Sequence, residues 1–96
     1  MSPLKRKKLS KIRFELDKLD NSLMKVIKKR TNLVKKVLAL KDKKNQIIDQ
    51  KRIKKILNNV KKKSLKNNID PKITNRIWKN MIWAYIDFEK RNFKKK

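Results

Sequence analysis

Residues 9–41, LSKIRFELDKLDNSLMKVIKKRTNLVKKVLALK, decide the fold. Apolar side chains fall at Leu9, Ile12, Leu16, Leu19, Leu23 and Val26, and again at Leu33, Val37 and Leu40. The steps alternate between three and four residues, with one step of seven, so the stripe is a heptad seam sustained over four heptads. The member missing from the long step is Arg30, a cation at an a-type seam position. On the adjacent edge Arg13, Asp20, Ile27, Val34 and Lys41 recur every seven residues. The pattern predicts one helix from about residue 10 to 41, ~48 Å long at ~1.5 Å per residue. Ser10 is one candidate cap, and a start near Pro3 is the other. A chain of 96 residues is too small to bury such a helix along its whole length, so a partner chain is the expected cover. Arg13 and Lys41 are ~42 Å apart along the helix. They can share a pocket only if a two-fold axis sets the start of a second helix beside the end of the first.

Outward from this stretch, DKKNQII (residues 42–48) reads as a connection and Asp49 as the N-cap of a second helix. Its apolar stripe is Ile53, Ile56, Leu57, Val60 and Leu65. Asn67 and Asn68 tolerate the left-handed conformation and end it. Ile69-Asp70-Pro71 then combines an apolar residue, a cap and a proline at the first helical position. A third helix of about 20 residues is expected, with Ile73, Ile77, Trp78, Met81, Ile82, Tyr85, Ile86 and Phe88 as its apolar positions. One line along it runs Trp78, Ile82, Tyr85, Glu89, so a carboxylate extends an apolar stripe. The expected fold class is all-α: one long and two shorter helices in a single domain over residues 1–96, forming an intertwined helical homodimer. Residues 1–8 and 94–96 read as frayed basic ends.

Composition narrows the chemistry. With no Cys there is no disulfide, thiolate metal site or Cys nucleophile. With no His there is no imidazole base and no His metal ligand. With no Gly there is no P-loop and no dinucleotide fingerprint. No apolar run reaches ~18 residues and no apolar core follows the basic start, so neither a membrane span nor a secretory signal is read, and a cytoplasmic chain is the default. Net charge is +24, from 32 Lys plus Arg against 8 Asp plus Glu. That first suggests a nucleic-acid partner. Lys, Asn and Ile are all frequent, however, and all have A/T-rich codons, so the bulk of the charge reads as solvated background. In a Lys-rich chain the six arginines carry more information, because Arg supplies a planar, bidentate donor.

Taken singly, these residues have plainer readings. Arg30 can set coiled-coil register, Glu89 can be a solvated helix end or pair with Lys90 or Arg91, and Arg13 and Arg52 can be surface cations. Together, two inward arginines, a lysine and an acid form a receptor for a small dianion.

Over residues 9–93 the chain resembles the all-α, type II chorismate mutases and their relatives, the isochorismate pyruvate lyases. The resemblance is carried by Arg13, Leu19-Asp20, Arg30 and Lys41 in the first stretch, by Asp49 and Arg52 at the second helix, by IDPKITNRIWKNMI (residues 69–82), and by Glu89. It implies a site of two chains, with Arg13 donated across the interface and Arg30, Lys41, Arg52 and Glu89 from the host chain. Arg13 and Arg30 would clamp the two substrate carboxylates. Arg52, oriented by Asp49, would line the pocket near the ring. Lys41 and Glu89 would face the ether oxygen. No metal and no cofactor is implied, because rearrangement of chorismate to prephenate needs only positioning and charge stabilisation. Two positions depart from the mutase pattern. Ile53 stands where many mutases have Glu, and Tyr85 where many have Ser. Both look more like the lyases, which convert isochorismate to salicylate and pyruvate. The mutase is the expected activity, since phenylalanine and tyrosine synthesis requires one, with the lyase or dual activity as the alternative. A basic helical nucleic-acid-binding protein is the non-enzyme rival, although it gives Arg30 and Glu89 no reason to lie on apolar faces. A Glu89 that donates to an ether oxygen must be protonated, so activity is expected to fall as pH rises through neutrality.

Overall fold

The computed structural model describes residues 1–95, and it is all-α. Helix α1 runs Pro3–Ala39, a short 3-10 turn follows at Lys44–Gln46, α2 runs Gln50–Lys66 and α3 runs Pro71–Asn92. Among the described residues there is no strand. Among the described residues, no helix is long and apolar enough to cross a membrane. The chain divides into two compact units, Met1–Leu33 and Val34–Lys96. Lys96, which the sequence reading placed in a frayed end, lies outside the described residues.

The first unit is helical from Pro3 onward. Its start is set at Ser2 and Pro3, not at Ser10. The Lys5 backbone N–H donates to Ser2 Oγ at 3.2 Å and proline takes the first helical position, where its missing N–H costs nothing. The basic residues Lys5 to Lys8 therefore form the first turns of α1. No residue of α1 is buried. The seam residues Ile12, Leu16, Leu19, Leu23, Val26 and Leu33 are all exposed. This is the uncovered stripe that the heptad pattern predicts for one chain alone.

The second unit is built on the packing of α2 against α3. Its core is Ile47, Ile82 and Ile86, with Leu38, Ile48, Ile53, Ile56, Leu57 and Phe93 packed against it. Asp49 caps α2 by accepting the Arg52 backbone N–H at 3.0 Å. The helix ends in a Schellman arrangement: Ile69 N–H donates to Ser64 C=O at 2.9 Å, Asn68 N–H to Leu65 C=O at 3.3 Å, and Asn68 sits at φ 56°. A chain without glycine has used asparagine for the left-handed residue. Asp70 then caps α3, accepting from Lys72 N–H at 2.9 Å, with Pro71 next to it. Below this turn the hydroxyls of Ser64 and Thr74 meet at 2.6 Å, both buried, and Ser64 Oγ also donates to the Val60 carbonyl at 2.7 Å. The pair clasps the end of α2 to the start of α3.

Some expected positions differ. Leu65 is 60 % exposed, not part of the α2 stripe, because it lies in the last turn beside Ser64, and Ser64 is the residue turned inward there. Ile73 and Ile77 are likewise exposed, since the α3 line that faces inward is Thr74, Ile82, Ile86 and Glu89. Helix α1 stops at Ala39, two residues early, so Lys41 lies in the connection and not in the helix.

Candidate active site

Among the described residues, Glu89 is buried, as are the polar side chains of Ser64 and Thr74. It lies on α3 three residues after core residue Ile86 and four after half-buried Tyr85. Helical spacing therefore carries it along the face that packs inward. Its partner is Lys41, whose Nζ donates to Glu89 Oε2 at 2.7 Å. The two side chains are 18 % and 10 % exposed. A charge-assisted contact of this length, largely shielded from water, is stronger than a surface pair. The plainer readings of Glu89, a solvated helix end or a partner of its own neighbours, do not hold. Arg91 pairs instead with Asp87 at 2.8 Å, one turn back and exposed.

Lys41 reaches this position through the way α1 ends. Leu40 N–H donates to Val37 C=O at 3.0 Å and Lys41 N–H to Leu38 C=O at 3.1 Å, tightening the last turn. An open cleft of about 480 Å³ adjoins it, and its lining includes Lys41 itself, Gln46, Ile48, Asp49 and Lys51. A second groove, of about 410 Å³, has Lys35, Leu38, Phe88, Lys94 and Lys95 in its lining. Neither Lys41 nor Glu89 lines it.

The other sequence-derived candidates fall as follows. Asp49 touches the backbone N–H of Arg52, so its contact fixes the first turn of α2, and Arg52 itself is exposed. Ile53, one residue on, is half-buried and packs against the Ile47–Ile82–Ile86 core. Tyr85 is half-buried on the inward side of α3. Arg13 is exposed and Arg30 half-buried, both on the part of α1 that belongs to the first unit. They are 17 residues apart, about 25 Å of helical rise. Within the second unit the structure thus brings together Lys41 and Glu89, with Asp49 and the first turn of α2 beside the same cleft.

Two contributors escaped the sequence reading. Gln46 accepts two backbone N–H groups in the connection, from Asp42 at 2.7 Å and Lys43 at 2.9 Å. Ile47 is the most buried apolar residue of the core, although it lies between helices. The adjacent Ile47-Ile48 pair, apolar within an otherwise polar connection, was the available signal.

A family model described as chorismate mutase type II matches residues 12–90. The chain belongs to that family. The matched span opens one residue before Arg13 and closes one residue after Glu89, so it holds every candidate site residue named above. Comparison with curated proteins and with solved structures returned no match. Within a type II chorismate mutase chain, the departures at Ile53 and Tyr85 now have a physical setting. Ile53 serves the apolar layer of the α2–α3 core, and Tyr85 lies one turn before the Lys41 partner.

Proposed function

We propose that this protein is a chorismate mutase that converts chorismate to prephenate in phenylalanine and tyrosine synthesis. The observation that carries the reading is the shielded Lys41–Glu89 pair at 2.7 Å, with Lys41 lining an open cleft, inside a chain of the type II family. The reaction breaks an ether C–O bond and forms a C–C bond within one molecule. It needs no nucleophile and no external base. What the protein must supply is a folded substrate conformer and donors aimed at the ether oxygen, where negative charge grows. Lys41 is such a donor, and Glu89 becomes a second when it carries a proton. Arg30 and an Arg13 from a second copy of the chain would hold the two carboxylates as planar forks. Arg52 would border the ring. The reading requires a homodimer, and the exposed apolar seam of α1 supports one.

A second reading is favoured by one feature. An apolar Ile53 in the packing layer leaves the ring hydroxyl without the carboxylate many mutases offer, as the isochorismate pyruvate lyases also do. The deciding experiment supplies chorismate and isochorismate separately and follows prephenate and salicylate. The mutase reading expects prephenate from chorismate as the main product. Salicylate from isochorismate, with chorismate unconsumed, overturns it in favour of the lyase.

A further inference from the structure

Lys41 lies outside any helix, in a connection without glycine or proline, yet its ammonium meets one carboxylate oxygen on α3 at 2.7 Å. Something must hold that connection. Once α1 has ended, the N–H groups of Asp42 and Lys43 no longer have carbonyls one turn back in line with them. Both turn instead to a single atom, Gln46 Oε1, at 2.7 and 2.9 Å. The amide oxygen has two lone pairs and uses them on two successive backbone donors. Gln46 thereby closes residues 42–46 into a compact loop, reinforced by Gln46 N–H to Lys43 C=O at 3.1 Å. The next residue, Ile47, is sunk into the core against Ile82 and Ile86. Ile86 lies three residues before Glu89 on the same helix. Two consecutive residues therefore tie the two halves of the pair together: Ile47 fixes the loop to α3, and Gln46 fixes Lys41's neighbours to the loop.

We propose that Gln46 is a positioning residue for Lys41, holding the ammonium against Glu89 through the backbone N–H groups of Asp42 and Lys43. The proposal rests on the reading of Lys41 as the donor to the substrate's ether oxygen. Its chemistry is specific: the position needs a hydrogen-bond acceptor on a three-carbon reach, and nothing else about glutamine. Gln46→Glu keeps the acceptor and the reach. Gln46→Met keeps the reach and loses the acceptor.

Both variants are compared with the wild-type chain for kcat and KM with chorismate, for melting temperature, and for the Nζ resonance of Lys41 in lysine-labelled protein, assigned by its loss in Lys41→Arg. Because a donor displaced by a fraction of an ångström weakens the transition state more than binding, Gln46→Met is expected to lower kcat by about tenfold or more, with KM within about twofold. Gln46→Glu is expected to restore kcat to within about threefold of wild type. In Gln46→Met the Lys41 resonance moves toward that of solvent-exposed lysines, while circular dichroism stays helical. A Gln46→Met protein with wild-type kcat and an unmoved Lys41 resonance overturns the proposal. So does an equal loss in both variants, or a loss of kcat that merely follows the unfolded fraction. If the wild-type chain turns over no chorismate, the activity reading fails by itself, and the Lys41 resonance in Gln46→Met still decides whether Gln46 positions the ammonium.

Discussion

At the residue scale, the buried Glu89 carboxylate meets the Lys41 ammonium at 2.7 Å, on the line of α3 that also carries Trp78, Ile82 and Tyr85. On the proposed reading Glu89 offers a hydrogen-bond donor to the ether oxygen beside the Lys41 ammonium. Glu89→Gln places an amide donor on a side chain of the same reach. It is expected to retain activity within about tenfold. An inactive Glu89→Gln enzyme would count against the role. Arg30 makes a second test. Arg30→Lys keeps the charge but loses the fork, and a loss of roughly 100-fold in kcat/KM is expected. Near-normal turnover by that variant would remove Arg30 from the carboxylate clamp. Glu89 was legible in the sequence because a carboxylate on an apolar stripe breaks the pattern around it. Gln46 was not. A glutamine in a polar loop has no pattern to betray it, because its partners are backbone groups.

At the scale of elements, the caps were readable because each is a local rule. Asp49 and Asp70 each accept an orphaned N–H group at a helix start, and Pro71 removes one by having none, and the structure places all three so. Asn68 at φ 56° is the same lesson at a helix end. Asn68→Ala is expected to cost about 1 kcal/mol, from the left-handed penalty on a residue with Cβ and no compensating side chain, whereas Asn68→Gly is expected to be neutral or slightly stabilising. Thermal melts of the two variants check this, and equal melting temperatures would refute it. What the stripes could not give was which apolar residue goes inward at a helix end. Leu65 and Ile73 flank the α2–α3 turn, and there the Ser64–Thr74 hydroxyl pair takes the interior instead. Two small hydroxyl residues allow the close approach that a Leu would block. Nothing in the spacing reports that. The same holds for Ile47, whose burial depends on a loop folding back on α3 and not on any helical period.

For the molecule as a whole, the +24 charge and the bare seam of α1 point in different directions. The charge is spread over an almost wholly exposed set of lysines, and that field raises the local concentration of any anion without choosing one. On the proposed reading, choice comes from the few cations set on inward or seam positions, Arg30 and Lys41 among them. The seam asks for a second helix. In the proposed dimer both needs are met at once, since the copy that covers α1 also supplies Arg13. The central claim is therefore a site assembled from two chains, and subunit complementation tests it most directly. Arg13→Ala and Lys41→Ala are each purified as inactive proteins, then unfolded, mixed in equal amounts and refolded. In the mixed dimer one site pairs an intact host with an intact donated arginine. Random pairing predicts that about a quarter of wild-type prephenate formation returns. A mixture that stays as inactive as its two components would contradict a shared site.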